Sequence, residues 1–82
     1  MAQYRKKPIV IEAWQWDGVA ARDDRPDWVN EAGCYLTHDR LLICPTPEAD
    51  HAVSPGDWVI RGIAGELYPC KPGIFTATYD PA

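Results

Sequence analysis

Hydrophobic residues fall along this chain in short β-branched and aromatic runs, separated by clusters of Pro, Gly and Asp, a pattern that predicts more strand than helix. The first run, Pro8 to Trp16, reads as a strand. It puts Ile9, Ile11 and Ala13 on one face and Val10, Glu12, Trp14 and Trp16 on the other. Both faces are largely apolar, which suits a central strand or one covered by a second subunit. Asp17-Gly18 ends the run. One helix follows, about Arg25 to Ala32. Asp24 is its expected cap, Pro26 suits the first turn and Gly33 the C-terminal stop. Asp23, Asp24 and Asp27 then lie at the positive end of the helix dipole, with Trp28 and Val29 docking the helix onto the sheet.

Cys34 to Thr37 and Arg40 to Cys44 predict a hairpin around His38-Asp39, and Pro45 to Asp50 is turn-rich. Ser54-Pro55-Gly56-Asp57 is a strong turn, because Pro presets φ and Gly accepts positive φ. A second hairpin joins Asp57–Ile63 to Glu66–Cys70. A two-residue loop would pair Ile63 with Glu66, and a four-residue loop would pair Arg61 with Glu66. Both registers give the same faces: Trp58, Ile60 and Leu67 on the core side, and Val59, Arg61, Ile63, Glu66, Tyr68 and Cys70 on the other. Residues 69–73 read as a turn or one short helical loop, and Ile74 to Tyr79 as a last strand with Phe75, Ala77 and Tyr79 aligned. The expected fold is therefore α+β: a small, mostly antiparallel sheet or partly open barrel of about five to six strands with one short helix.

The 82 residues make a single domain, 1–82, with one core. A chain of this size hides only roughly 60–65% of its unfolded surface, so an added source of stability is expected, and a homo-oligomer is the one favoured. The net charge of −4 argues against a duplex nucleic-acid binder. Its distribution is uneven: residues 1–22 carry +2, with Arg5-Lys6-Lys7 as the basic run, and residues 23–50 carry −5. That run reads as a solvated strand entrance that discourages aggregation, or as a small anion site. Three cysteines, an odd number without a signal peptide, predict reduced thiols in a cytoplasmic protein. No apolar run approaches the roughly 20 residues that span a bilayer.

The segments Ser54-Pro55-Gly56-Asp57-Trp58-Val59-Ile60-Arg61-Gly62 and Gly65-Glu66-Leu67-Tyr68-Pro69-Cys70-Lys71-Pro72, followed by Phe75 and Tyr79, resemble a widespread family of small phage and prophage proteins. The opening, Tyr4 to Trp16, resembles the start of the same family. The two blocks cover somewhat more than half of the chain, and residues 17–53 add nothing to the likeness. Gly73 departs from the acidic residue expected just before Phe75. The resemblance implies an accessory protein in the cytoplasm of a bacterial host cell. In size and style it is similar to phage sponge proteins that sequester cyclic-nucleotide immune signals.

Catalytic chemistry has little footing in the sequence. No context sets a cysteine beside a histidine, and Gly62 and Gly65 sit in a hairpin rather than between strand and helix. Cys34, His38, Cys44, His51 and Cys70 lack the close ligand pairs of zinc sites. No enzyme, metal or cofactor is expected. Four tryptophans and four tyrosines are generous for this length. Trp28, Trp58 and Phe75 read as packing anchors, whereas Trp14, Trp16 and Tyr68 share faces with charges. Such faces stack bases or form subunit contacts. The candidate ligand site is Lys7, Trp16, Arg61, Tyr68 and Lys71: aromatics to stack a cyclic nucleotide and cations to hold its phosphates, without turnover. The competing reading is a protein–protein interaction module that docks on a host or phage protein through an exposed strand and aromatic face. Arg61 and Glu66 would otherwise form an ordinary cross-strand ion pair.

Overall fold

The computed structural model describes residues 2–5 and 8–82. Six antiparallel strands form two three-stranded sheets. The first sheet has the order β1-β5-β6, with β1 at Glu12–Gln15, β5 at Trp58–Arg61 and β6 at Leu67–Cys70. The second has the order β2-β3-β4, with β2 at Tyr35–Leu36, β3 at Leu42–Pro45 and β4 at Asp50–Val53. A 3-10 turn at Arg22–Asp24 leads into helix α1, Asp27–Glu31, and helix α2 covers Pro72–Thr78. The small, open, mostly antiparallel α+β architecture agrees with the pattern of the sequence. Among the described residues no helix is long and apolar enough to cross a membrane.

One face of each sheet turns inward. Val59 and Leu67 from the first sheet meet Leu42, Cys44 and Val53 from the second, with Val29 of α1 and Trp16 completing the core. Ile60, on the opposite face of the first sheet, is buried as well, and each large aliphatic side chain taken from water adds about 1.5–3 kcal/mol.

The two hairpins close in the same way. In the first, the Thr37 amide donates to the Leu41 carbonyl and the Arg40 amide to Thr37, leaving His38, Asp39 and Arg40 as a three-residue loop. In the second, the Gly62 amide donates to Glu66 and the Gly65 amide to Gly62, leaving Ile63, Ala64 and Gly65. Each loop is a β-turn whose last residue is left-handed, the form typical of three-residue hairpin loops. Gly65 sits there at φ 85°, and Arg40 holds the equivalent position at φ 64°.

An odd loop overturns both registers expected for the second hairpin. Arg61 pairs with Leu67 and Ile60 with Tyr68. Paired residues share a face, so Arg61 lies with Val59 and Leu67, whereas Tyr68 lies with Trp58 and Ile60. Arg61 and Tyr68 are on opposite sides of the sheet.

Other elements also differ from expectation. Only residues 12–15 of the long first run form a strand; Ile9 and Val10 remain exposed before it. Asp24 does not cap α1. It belongs to the 3-10 turn, and Pro26 occupies the cap position with no side-chain hydrogen bond. Gly33 does follow the helix at φ 81°, as a C-terminal stop requires. The expected last strand is α2. Pro72 is preorganised for a first helical turn, and Thr76 Oγ1 bonds back to the Pro72 carbonyl at 3.0 Å. The decisive contact is tertiary: the Phe75 ring stacks on Trp58 with centroids 4.0 Å apart and planes 5° from parallel. Helical spacing then places Tyr79 beside Phe75, at 5.1 Å. The sixth strand is instead β4, in a stretch with few apolar residues, paired along β3 from Leu42↔Val53 to Pro45↔Asp50.

Candidate functional site

The outer face of the first sheet carries Ala13, Trp58, Ile60 and Tyr68. Helix α2 lies against part of it, with Phe75 on Trp58. The strip over β1 stays open. A groove of about 410 Å³ remains there, lined by Ile9, Ile11 and Ala13, by Trp58, Phe75 and Tyr79, and by residues 80–82. Among the described residues β1 is also the outermost strand of its sheet, paired only with β5. The groove therefore borders an unpartnered strand edge.

Of the five residues expected to hold an anionic ligand, the four that are described do not converge. Lys7 lies outside the described residues. Trp16 is fully buried: its Nε1 donates to the Arg40 carbonyl at 2.8 Å, and the Arg25 guanidinium lies 5.4 Å from its ring centre. A buried ring has no face left for a base, so Trp16 is core rather than ligand platform. Arg61 bonds Glu12 on the neighbouring strand at 3.2 Å, and this pair replaces the Arg61–Glu66 pair expected. The Glu66 carboxylate instead leans over Gly62, where a Cβ would collide with it. Lys71 Nζ reaches Asp57 Oδ2 at 3.1 Å.

Tyr68 is half-buried on the α2 side of the sheet. Its hydroxyl is pushed up to about 12 by burial, and further by a hydrogen bond with Tyr79 and the nearby Tyr79, Glu66 and Cys70 groups. It is a packing tyrosine facing α2, separated by the sheet from Arg61.

Asp57 is the one charged side chain buried among the described residues. Its Oδ2 accepts the Ser54 amide at 3.1 Å as well as Lys71, and the Asp57 amide returns to the Ser54 carbonyl at 2.9 Å. With Gly56 at φ 94°, the predicted turn is present as read. It also anchors the end of β1: the Trp16 amide donates to Asp57 and the Gly56 amide to Trp16.

The cysteines form an arrangement that spacing did not suggest. Continuing the β2–β3 register by one residue sets Cys34 opposite Cys44, and their sulfurs are 2.9 Å apart, both as free thiols. The hydrogen bond shared with Cys44 holds the Cys34 thiol below its ordinary range, helped by the charge of Arg25. The same bond and burial drive Cys44 strongly upward. Two cysteines flanking a predicted hairpin are the signal that points to this pair, and they fall directly opposite once the loop is three residues, His38 to Arg40. Among the described residues, no three His, Cys, Asp or Glu side chains group as a metal site.

No family model, curated protein or solved structure matches this chain.

Proposed function

We propose that this chain is a non-enzymatic binding module of phage or prophage origin, acting in the cytoplasm of a bacterial host, and that its ligand is an extended, apolar-rich peptide segment of a partner protein. The observation that carries this reading is the apolar groove alongside the free edge of β1. A peptide laid along that edge would gain main-chain hydrogen bonds from the strand. Its alternate side chains would fall over Ala13, Trp58 and Phe75. Most of the groove's lining is apolar, with Tyr79 and Asp80 as its titratable side chains, which suits binding better than turnover. Sequestration of a cyclic nucleotide is less well supported, because Arg61 and Lys71 are each engaged by a carboxylate and neither lines the groove.

Selection from a random peptide library tests the proposal. The expected result is enrichment of sequences with apolar residues at alternate positions, whose binding is lost in Ala13→Glu while its thermal stability stays within a few degrees of the parent. Failure to enrich, or binding that survives Ala13→Glu, overturns it. Light scattering at high micromolar concentration shows whether a second copy takes the same edge, in which case the partner is the chain itself. A melting shift with cyclic nucleotides but not with peptides would favour sequestration.

A further inference from the structure

We propose that Cys34 and Cys44 are a thiol-oxidation site, a dithiol that closes to a cross-strand disulfide by exchange with a low-molecular-weight disulfide and reopens with thiol reductants. The geometry asks for little movement. Residues directly opposite in an antiparallel pair have Cα atoms roughly 4.5 or 5.5 Å apart, and both values fall within the roughly 4.4–6.8 Å that a disulfide bridges. The sulfurs start at 2.9 Å and must close to about 2.05 Å. The backbone is already held in register by Tyr35↔Ile43 and Leu36↔Leu42.

The two thiols differ in access and therefore in role. Cys34 is half-buried just before β2, and Arg25 favours its thiolate. Cys44 is fully buried in the core and is reached through Cys34. The Cys34 thiolate attacks one sulfur of the external disulfide, forming a mixed disulfide and releasing one thiolate. Cys44 gives its proton to that thiolate and attacks the Cys34 sulfur, expelling the second thiolate, which takes up the proton first lost by Cys34. The two protein thiols lose two electrons and two protons, and the external disulfide becomes two thiols. The product ties the residue after Gly33 to β3 and locks the hairpin whose Arg40 carbonyl holds Trp16. Cys70 lies at the end of β6 in the other sheet.

The test uses the whole chain, purified reduced, with oxidised glutathione as the external disulfide. Free thiols should fall from three to one in the parent and from two to none in Cys70→Ser. Peptide mapping should find Cys34 joined to Cys44, with no glutathione retained and full recovery on reduction. In Cys44→Ser the glutathione adduct should instead accumulate at Cys34. Because Cys44 is buried and that variant can lose its fold, Cys70→Ser is the deciding variant. A lasting glutathione adduct beside a free Cys44, a bridge through Cys70, or unchanged thiols in folded Cys70→Ser each overturn the proposal.

Discussion

Replacing Asp57 by alanine removes the acceptor that holds the Ser54–Asp57 turn together. Asp57 is 5% exposed, and its carboxylate accepts the Ser54 amide and Lys71 Nζ, each at 3.1 Å. A hydrogen bond to a charged group is worth about 1.5–3 kcal/mol, and the part-buried Ser54 amide is left without this partner. The Lys71 side chain is 67% exposed, so water replaces much of what the ion pair provides, and its share is at most about 1 kcal/mol. Asp57→Ala should therefore cost about 2–3 kcal/mol. Asp57→Asn keeps an acceptor for Ser54 and should cost about half of that, and Lys71→Ala should cost less than about 1 kcal/mol. For a domain of this size each 1 kcal/mol moves the melting temperature by roughly 4–8 °C, so circular dichroism melts will order the three variants. The reasoning fails if Lys71→Ala costs as much as Asp57→Ala, because the ion pair would then dominate. It also fails if Asp57→Ala is neutral, because the backbone bonds to Trp16 would then hold the turn alone.

Three further outcomes follow from the same geometry. Arg40→Gly should raise stability by about 1 kcal/mol in urea unfolding and Gly65→Ala should lower it by a similar amount, because both sites are left-handed and only one carries the residue that tolerates it. Tyr68 has a folded pKa of about 12 against an ordinary 10, so its contribution to stability is fully present below pH 10 and is lost as pH rises toward 12; unfolding titrations should show a downward slope in that window that flattens in Tyr68→Phe. Trp16→Phe removes the hydrogen bond to Arg40 and leaves a void in the core, costing about 2–4 kcal/mol by chemical denaturation, whereas Trp14→Phe, partly buried at the core's edge, should cost less.

What the sequence disclosed was chiefly local chemistry. Ser54-Pro55-Gly56-Asp57 folds as its residue types demand, Gly33 stops α1, and His38-Asp39 lies in the loop of the first hairpin. These depend on a few adjacent residues and little on the rest of the chain. Elements decided by distant contacts were not legible. Ile74, Thr76 and Thr78 have the β-branched character of a strand, yet the stretch is helical because Phe75 and Tyr79 must meet the face of the first sheet. Strand β4 has little hydrophobic pattern of its own and exists because β3 offers it an edge. Trp16 follows a run with charged neighbours, and only the packing of the two sheets shows that its ring is enclosed.

One residue of loop length separates Arg61 from Tyr68. Loops of two and four residues keep Arg61 and Tyr68 on a common face; a loop of three, closed by Gly65 at φ 85°, divides them. Glycine at the third loop position is the signature of that odd loop, and the first hairpin hides the same device behind an arginine. The consequence runs through the whole molecule. With odd parity, Val59 and Leu67 turn inward together to meet the second sheet, and Trp58 and Ile60 turn outward. The outward face then needs a cover. Helix α2 supplies it over Trp58 but leaves the β1 strip bare, and that uncovered strip is the groove. Even parity would have set Leu67 against Trp58 and Ile60, splitting the pair that now closes the core. The loop that separates the expected anion-binding residues is thus also what creates the apolar surface on which a binding role rests.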